Sequence, residues 1–443
     1  MTTANHGLSR RQLDCHWMPF TANRQFKADP RIITGASGAY FTDADGRQIF
    51  DGLSGLWCSG LGHAVPEISE AVAKQVRELD YAPGFQFGHP KSFQLAEKVT
   101  EFMPEGLNRV FFVGSGSEAA DTSLKIARAY WRKLGKPAKT KLIGRAKGYH
   151  GVNFGGISVG GIGPNRALYG EAVAADHLHH TWQADSRFVR GQAQTGRELA
   201  DELLDLIALH DASNIAAVIV EPVAGSAGVF PPPVGYLQRL REICDEHEIL
   251  LIFDEVICGF GRLGAKTGSE AFGVTPDLIN IAKQLTNGTV PMGAVVAKQA
   301  IYDTFMEQGG PDYMVELPHG YTYSAHPVAC AAGLAALNVL QQTAAIERVA
   351  ELAPYFEDAV HSLKGAKYVS DIRNYGFAAG FTVEAAPGEP ALRPYQVAMS
   401  MWQKQFYVRY GGDTIQLGLP FITEKAQIDS LISALGDSFN ELA

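Results

Sequence analysis

A carboxylate and a lysine each follow a short apolar run in the middle of the chain. Leu250–Phe253 is a continuous apolar run, which predicts a strand buried on both faces, and Asp254 comes directly after it. Lys283 follows a second such run, Leu278–Ala282. In an open parallel sheet, ligands bind beyond the carboxyl ends of the strands. The two side chains are therefore predicted to lie at a ligand site.

An aspartate and a lysine placed in this way suit pyridoxal phosphate. The lysine amine can form a Schiff base with the aldehyde of this cofactor. The carboxylate can pair with the pyridinium nitrogen and keep it protonated, so that the ring accepts electrons. Taken alone, the same two residues are better explained as a turn aspartate at a strand end and a solvated lysine. The choice depends on the rest of the chain.

A strand predicted at 109–113 runs into GSGSEA at 114–119, at the start of a long amphipathic helix. Backbone N–H groups at such a helix start bind phosphate, and Ser115 and Ser117 add hydroxyl donors. The same letters fit the dinucleotide pattern G-x-G-x-x-A, which would indicate a nicotinamide-dependent dehydrogenase. That function needs an acidic residue about 20 positions further on. The chain has no Asp or Glu from 122 through 170, which disfavours the dehydrogenase.

Two further side chains lie where they could meet a ligand, and two others have a simpler structural explanation. Tyr149 stands in a Gly-rich loop, from which an aromatic ring can stack on a flat ligand. Glu221 follows a buried apolar run and repeats the pattern of a carboxylate at a strand end. By sequence alone, Trp57 is better explained as a core aromatic. Arg409 is better explained, on the same grounds, as a structural arginine paired with Asp413.

Composition narrows the class of protein. The chain has 443 residues and a net charge of −9, without a basic run, which argues against a nucleic-acid or membrane-surface role. We see no signal peptide and no apolar run of about 18 residues, so no transmembrane helix is expected. Five scattered cysteines without C-x-x-C predict reduced thiols in a cytoplasmic protein. The histidines of DHLHH at 176–180 have no recognisable partner ligands, so we expect no metal.

The order of elements predicts the fold class. Strands and helices alternate through 109–283, which is typical of a doubly wound, mostly parallel α/β sheet, and 170–195 reads as a polar loop region. Upstream, two alternating runs joined at Asp43–Gly46 predict a hairpin. From about 331 the pattern changes to helices and then short strands, such as Gly376–Val383 and Phe406–Tyr410. This part is predicted to form a second, α+β domain.

Six segments together carry a resemblance to a known family. The chain resembles the class III aminotransferases of pyridoxal phosphate fold type I over nearly its whole length. Within them it is most similar to the β-alanine:pyruvate and ω-amino acid:pyruvate aminotransferases, through stretches such as FYVRYGGDTIQLG. The six segments, in the order in which the family has them, are GSGSEAADTSLKIARAY, GYHG, VEPVAGSAG, LLIFDEVICGFGRLG, PDLINIAKQLTNG and HGYTYSAHP.

The resemblance implies a role for each matching position. Lys283 and Asp254 would be the catalytic pair, the first holding the cofactor and the second pairing with its pyridine nitrogen. Thr322 would reach the cofactor phosphate of the neighbouring subunit, so that the sites of a homodimer are shared, with a tetramer left open. The other implied contacts are Ser115, Gly116 and Ser117 to the phosphate, Tyr149 and Val256 to the two faces of the ring, Trp57 and Arg409 to the substrate, and Glu221 and Gln416 as supporting residues.

The resemblance also implies an architecture and a reaction. Residues 61–330 would form the large cofactor-binding domain, and 1–60 together with 331–443 the small one. The expected enzyme is a transaminase that moves an amino group from an ω-amino acid or primary amine to pyruvate, giving alanine. Other expectations stay open at this point: an aminomutase or decarboxylase of similar fold, the dehydrogenase, and a binding protein without turnover.

Overall fold

The computed structural model describes residues 7–443, which form fifteen strands and sixteen α-helices. The strands are β1 Ile33–Ser37, β2 Tyr40–Asp43, β3 Gln48–Asp51, β4 Leu107–Val113, β5 Lys141–Arg145, β6 Ala175–Leu178, β7 Ile215–Val220, β8 Leu250–Asp254, β9 Leu278–Ile281, β10 Gly293–Lys298, β11 Val369–Tyr375, β12 Ala378–Val383, β13 Phe406–Tyr407, β14 Arg409–Gly411 and β15 Thr414–Gly418.

The helices vary from four to eighteen residues. They are α1 Arg10–Cys15, α2 Asn23–Ala28, α3 Ser54–Trp57, α4 Pro66–Glu78, α5 Pro90–Thr100, α6 Gly116–Lys133, α7 Phe154–Val159, α8 Gly163–Tyr169, α9 Glu202–His210, α10 Tyr236–Glu246, α11 Gly268–Phe272, α12 Gln299–Glu307, α13 Pro327–Gln342, α14 Ala345–His361, α15 Leu392–Gln403 and α16 Lys425–Asn440. Short 3-10 helices occupy Ala184–Ser186, Arg197–Asp201, Ala212–Asn214 and Lys283–Thr286.

A seven-stranded sheet forms the centre of the molecule, in the order β4-β10-β9-β8-β7-β5-β6. The strands from β9 to β6 pair in parallel, and β10 runs antiparallel to both of its neighbours. The strands β7, β8 and β9 are buried along their whole length, as their continuous apolar runs predicted. The prediction of a doubly wound, mostly parallel α/β sheet is confirmed.

Helices cover both faces of this sheet and separate it from solvent. On one face, apolar side chains of α6 pack against β7 and β8, and those of α12 against β4 and β10. On the other, α4, α5, α10 and α13 contribute to a larger core that continues into the C-terminal part of the chain. Because β7, β8 and β9 are parallel, the residues that follow each of them meet at one edge of the sheet. Glu221 follows β7, and Lys283 comes shortly after β9. Asp254 is the last residue of β8 and lies at the same edge.

Two smaller sheets are built from the two ends of the chain. One has the order β1-β2-β3-β13, and the other β11-β12-β15-β14. In the first, β13 pairs in parallel with β3, so the N-terminal hairpin is joined to a strand more than 350 residues later in the chain. The predicted hairpin is present as β2 and β3. The domain boundaries at 60/61 and 330/331 stay a prediction.

Two local predictions were wrong. The region 170–195 is not all loop, because it contains β6, an edge strand that pairs only with β5. The predicted strand Phe406–Tyr410 is divided at Val408 into β13 and β14, which belong to different sheets.

Within residues 7–443, no single helix is long and apolar enough to span a membrane. The one pair that passes by length and composition, α13 with α14, is bent by 59°.

Candidate active site

A cavity of about 290 Å³ opens at the carboxyl edge of the central sheet. Its wall contains eight of the residues that the sequence singled out, and these come from five separate parts of the chain. They are Ser115, Gly116 and Ser117 from the start of α6, Tyr149 after β5, Glu221 after β7, Asp254 and Val256 at the end of β8, and Lys283 after β9.

One end of the cavity is the N-terminus of α6. Ser115 is the N-cap residue, and its Oγ accepts a hydrogen bond from the Glu118 backbone N–H at 3.2 Å. The first N–H groups of a helix have no acceptor within the helix, and the helix dipole adds positive potential there. Ser117 Oγ accepts from the Val152 N–H at 3.1 Å, which ties this end to the Tyr149 loop. The arrangement is suited to a phosphate group.

Gly116 allows two walls of the cavity to approach each other. A Cβ atom at this position would lie 2.9 Å from Cγ1 of Val256, closer than carbon atoms pack. Any other residue here would force Val256 or the backbone to shift. The absence of a side chain also leaves the backbone at the start of α6 open to a ligand.

Asp254 is buried at the base of the cavity and is held by two donors. His150 Nδ1 lies 2.8 Å from Asp254 Oδ2, and the Val256 N–H donates to Oδ1 at 3.2 Å. His150 itself is buried, and its Nε2 has no partner among the described residues. The sequence did not single out His150 as a site residue. Its place beside Tyr149 in GYHG, after a strand of the central sheet, is the signal that points to it.

Glu221 connects two loops that border the cavity. Its carboxylate accepts from the Tyr149 N–H at 2.9 Å and from the Gly225 N–H at 3.0 Å. Burial raises the pKa of this carboxyl group, and the nearby charge of Asp254 raises it further. The bonds from both loops place Glu221 as a support for Tyr149.

Lys283 begins a 3-10 turn directly after β9, and its φ of +50° lies in the left-handed region. Burial lowers the pKa of its amine from 10.5 to about 8, and the negative charges of Asp254 and Glu221 only partly offset this. A lysine with this pKa is partly uncharged near neutral pH. It can therefore act as a nucleophile or a proton acceptor.

Four predicted site residues lie outside the cavity wall. Trp57 is buried, with its ring against Gly418 and 5.7 Å from the guanidinium carbon of Arg262. Gln416 is also buried and donates to the Ser226 carbonyl at 2.9 Å. Arg409 and Thr322 are the other two residues outside this wall.

Arg409 is half-buried at the start of β14 and makes no ion pair within residues 7–443, so the expected pair with Asp413 is absent. Burial raises the pKa of Tyr149, and the charge of Arg409 opposes this, which places the guanidinium near the cavity. Thr322 is exposed in the loop before α13, where the Tyr81 hydroxyl donates to its carbonyl at 3.1 Å.

The fold and the site together define a class of enzyme. A partly uncharged lysine and a buried carboxylate face one cavity, and a helix N-terminus can anchor an anionic ligand there. In residues 7–443, no group of three or more His, Cys, Asp or Glu side chains could hold a metal ion. The groups that the site offers for chemistry are an amine, two carboxylates and a helix N-terminus suited to an anionic ligand.

Comparison with known proteins gives the family. The model of the family described as aminotransferase class-III matches residues 21–439, and the chain belongs to this family. It is 61% identical to a β-alanine–pyruvate aminotransferase of Pseudomonas aeruginosa, over 98% of this chain and 97% of the relative. It is 58% identical to an ω-amino acid–pyruvate aminotransferase of Pseudomonas putida, over 98% and 97% of the two chains.

The fold agrees with solved structures of aminotransferases. A pyridoxal phosphate-bound amine transaminase from an uncultivated Pseudomonas species superposes with a TM-score of 0.88 at 34% identity, over 96% of this chain and 98% of that one. The expectation from the six sequence segments is thus confirmed for the family and the fold. The dehydrogenase drawn from residues 114–119 is not the function of this chain.

Proposed function

We propose that this chain is a pyridoxal phosphate-dependent transaminase that transfers an amino group from an ω-amino acid, such as β-alanine, or from a primary amine to pyruvate, giving alanine. The relatives at 61% and 58% identity carry these substrates in their names. The observation that carries the proposal is the placement of Lys283 and Asp254 in one cavity with the start of α6.

The cofactor is pyridoxal phosphate, and the donor groups of the cavity fit each part of it. When bound, the cofactor supplies an aldehyde that takes up the amino group and a ring that accepts electrons. The start of α6, with Ser115, Gly116 and Ser117, would hold the phosphate. Tyr149 and Val256 would contact the ring.

The protein residues would then divide the proton chemistry. Lys283 Nζ, with its pKa lowered to about 8, would remove the proton from the amine-bearing carbon of the donor and return it on the cofactor side. Asp254 would stabilise the protonated pyridine nitrogen, since an opposite charge favours the charged form. Glu221 would keep the Tyr149 loop in place through the N–H groups that it accepts from.

Arg409 is our candidate for the carboxylate of pyruvate and of ω-amino acids. Its guanidinium has no carboxylate partner in the described chain and lies near Tyr149 and Lys283. A guanidinium can grip a carboxylate with two parallel hydrogen bonds. When the donor is an amine without a carboxylate, Arg409 would turn outward, and the apolar group of that amine would lie near Trp57.

We further propose a homodimer with shared active sites, in which Thr322 contacts the cofactor phosphate of the partner. Thr322 is exposed, and aromatic side chains around its loop are exposed with it: Phe85, Phe87 and Tyr323 show 55%, 71% and 63% of their surface. Large exposed aromatic side chains of this kind favour an interface. The five free thiols support a cytoplasmic location.

Two half-reactions test the function. Purified holoenzyme should change its absorbance spectrum on addition of β-alanine, and pyruvate should restore the spectrum while alanine appears in equal amount. A spectrum that responds to the amine without any alanine formed from pyruvate would instead favour a decarboxylase or aminomutase. A spectrum indifferent to every amine tested would contradict the proposal.

A further inference from the structure

His150 lies next to the catalytic carboxylate of Asp254, and only one of its two ring nitrogens has a hydrogen-bond partner among the described residues. His150 Nδ1 lies 2.8 Å from Asp254 Oδ2. An ionised carboxylate only accepts hydrogen bonds, so Nδ1 carries the proton. The ring is 1% exposed, and its Nε2 has no partner among the described residues. A buried polar atom without a partner is rare in proteins and calls for an occupant.

A second, smaller cavity lies on the Nε2 side of the ring. It measures about 10 Å³, and its wall includes Gly148, His150, Asn165 and Arg166. The Nε2 atom of His150 faces this cavity, because a Cβ atom at Gly148, which lines the cavity, would lie 3.2 Å from it. The two cavities share Tyr149 and Gly151 in their walls, and Asp254 lines only the larger one.

The size and polarity of this cavity suit a single water molecule. A water needs on the order of 10–15 Å³ and two to four polar partners. Nε2 is one partner. The half-buried Asn165 side chain, which makes no hydrogen bond within residues 7–443, can be another. In a neutral ring whose Nδ1 carries the proton, Nε2 accepts, so the water donates to it.

We propose that His150 is a positioning residue for Asp254, and that an ordered water bridges His150 Nε2 and the Asn165 amide in the small cavity. The water fixes the ring so that Nδ1–H points at Asp254. Asp254 in turn keeps its carboxylate directed into the main cavity. This inference rests on the proposed function, in which Asp254 faces the pyridine nitrogen. It adds the device that orients the carboxylate.

Three variants at position 150 test the positioning role. His150→Asn keeps a donor at the place of Nδ1 and removes the group at Nε2. His150→Phe removes both, and His150→Gln keeps a polar group but no donor at Nδ1. The holoenzymes are prepared with cofactor labelled with ¹⁵N in the pyridine ring, and the ring-nitrogen NMR signal is recorded. Circular dichroism and thermal melting show whether each variant is folded.

We expect the signal of His150→Phe and His150→Gln to move from the wild-type position toward that of Asp254→Asn, and His150→Asn to stay close to wild type. A wild-type signal in a folded His150→Phe or His150→Gln protein would overturn the positioning role. So would an equally large shift in His150→Asn. If Asp254→Asn itself gives the wild-type signal, the failure belongs to the proposed function of Asp254 instead.

The water is tested separately. Histidine labelled with ¹⁵N should report the tautomer with the proton on Nδ1, and a crystal structure should show one water between Nε2 and Asn165. Asn165→Leu should remove that water and shift the Nε2 signal. A dry cavity in the wild-type crystal, or a ring with its proton on Nε2, would overturn this part of the proposal.

Discussion

Replacement of Arg409 by alanine should divide the substrates into two groups. The guanidinium is half-buried at the start of β14 and has no ion-pair partner in the chain from residue 7 onward, so a substrate carboxylate would be its only strong acceptor. We therefore expect Arg409→Ala to weaken the use of pyruvate and β-alanine. The half-reaction with a benzylic amine, which has no carboxylate, should be spared.

The size of the loss follows from two hydrogen bonds. A hydrogen bond to a charged group contributes about 1.5–3 kcal/mol, and the partial exposure of Arg409 favours the lower value. Two such bonds give about 3 kcal/mol, and each 1.4 kcal/mol corresponds to about tenfold in affinity. The apparent affinity for pyruvate and for β-alanine should fall about a hundredfold.

The assay measures each half-reaction by stopped-flow absorbance, with the benzylic amine and β-alanine as donors and pyruvate as acceptor. Arg409→Lys is the matched control: it keeps the charge but not the planar fork, so it should recover only part of the loss. Equal losses for the benzylic amine and for β-alanine would refute the reasoning. Arg409 would then be a structural residue.

Three further predictions concern the cofactor site. Asp254→Asn keeps the shape of the side chain but removes its charge. The proton-abstraction rate in single turnovers should therefore fall by on the order of a hundredfold or more, while cofactor affinity changes less. An unchanged rate would argue against the proposed role of Asp254. The pKa of Lys283 is lowered by burial to about 8, so the uncharged amine increases with pH up to that value. Uptake of cofactor by the apoenzyme should accelerate about tenfold per pH unit below pH 8 and level off above it; a rate that still rises near pH 10 would count against this pKa. Mixing Lys283→Ala with Thr322→Ala chains should restore one site of near-normal cofactor affinity per mixed dimer, and no gain after proven subunit exchange would contradict a shared site.

The central sheet and the cofactor residues were accessible from the sequence because fully buried parallel strands leave continuous apolar runs. The run before Asp254 and the run before Lys283 both correspond to strands, within one residue of their predicted ends. The β6 strand was missed because it lies at the sheet edge. Two of the four residues of its sequence ADHL are polar and three are half-buried, so no apolar run marks it.

Contacts between distant segments could not be predicted from the sequence. His150 and Asp254 are 104 residues apart, and Gln416 bonds to Ser226 across 190 residues. No local pattern encodes either pair, because each depends on how whole elements pack. For Trp57, sequence alone favoured a core aromatic, and the structure shows the ring buried. Its predicted contact with the substrate stays a prediction.

The identity of the lysine that bonds the cofactor is the most direct test of the central claim. Borohydride reduction of the holoenzyme fixes the cofactor to that lysine, and peptide mapping by mass spectrometry then locates the label. We predict the label on Lys283, and we predict that Lys283→Ala binds cofactor without being labelled and loses nearly all turnover. A label on any other lysine of the wild-type chain would contradict the account.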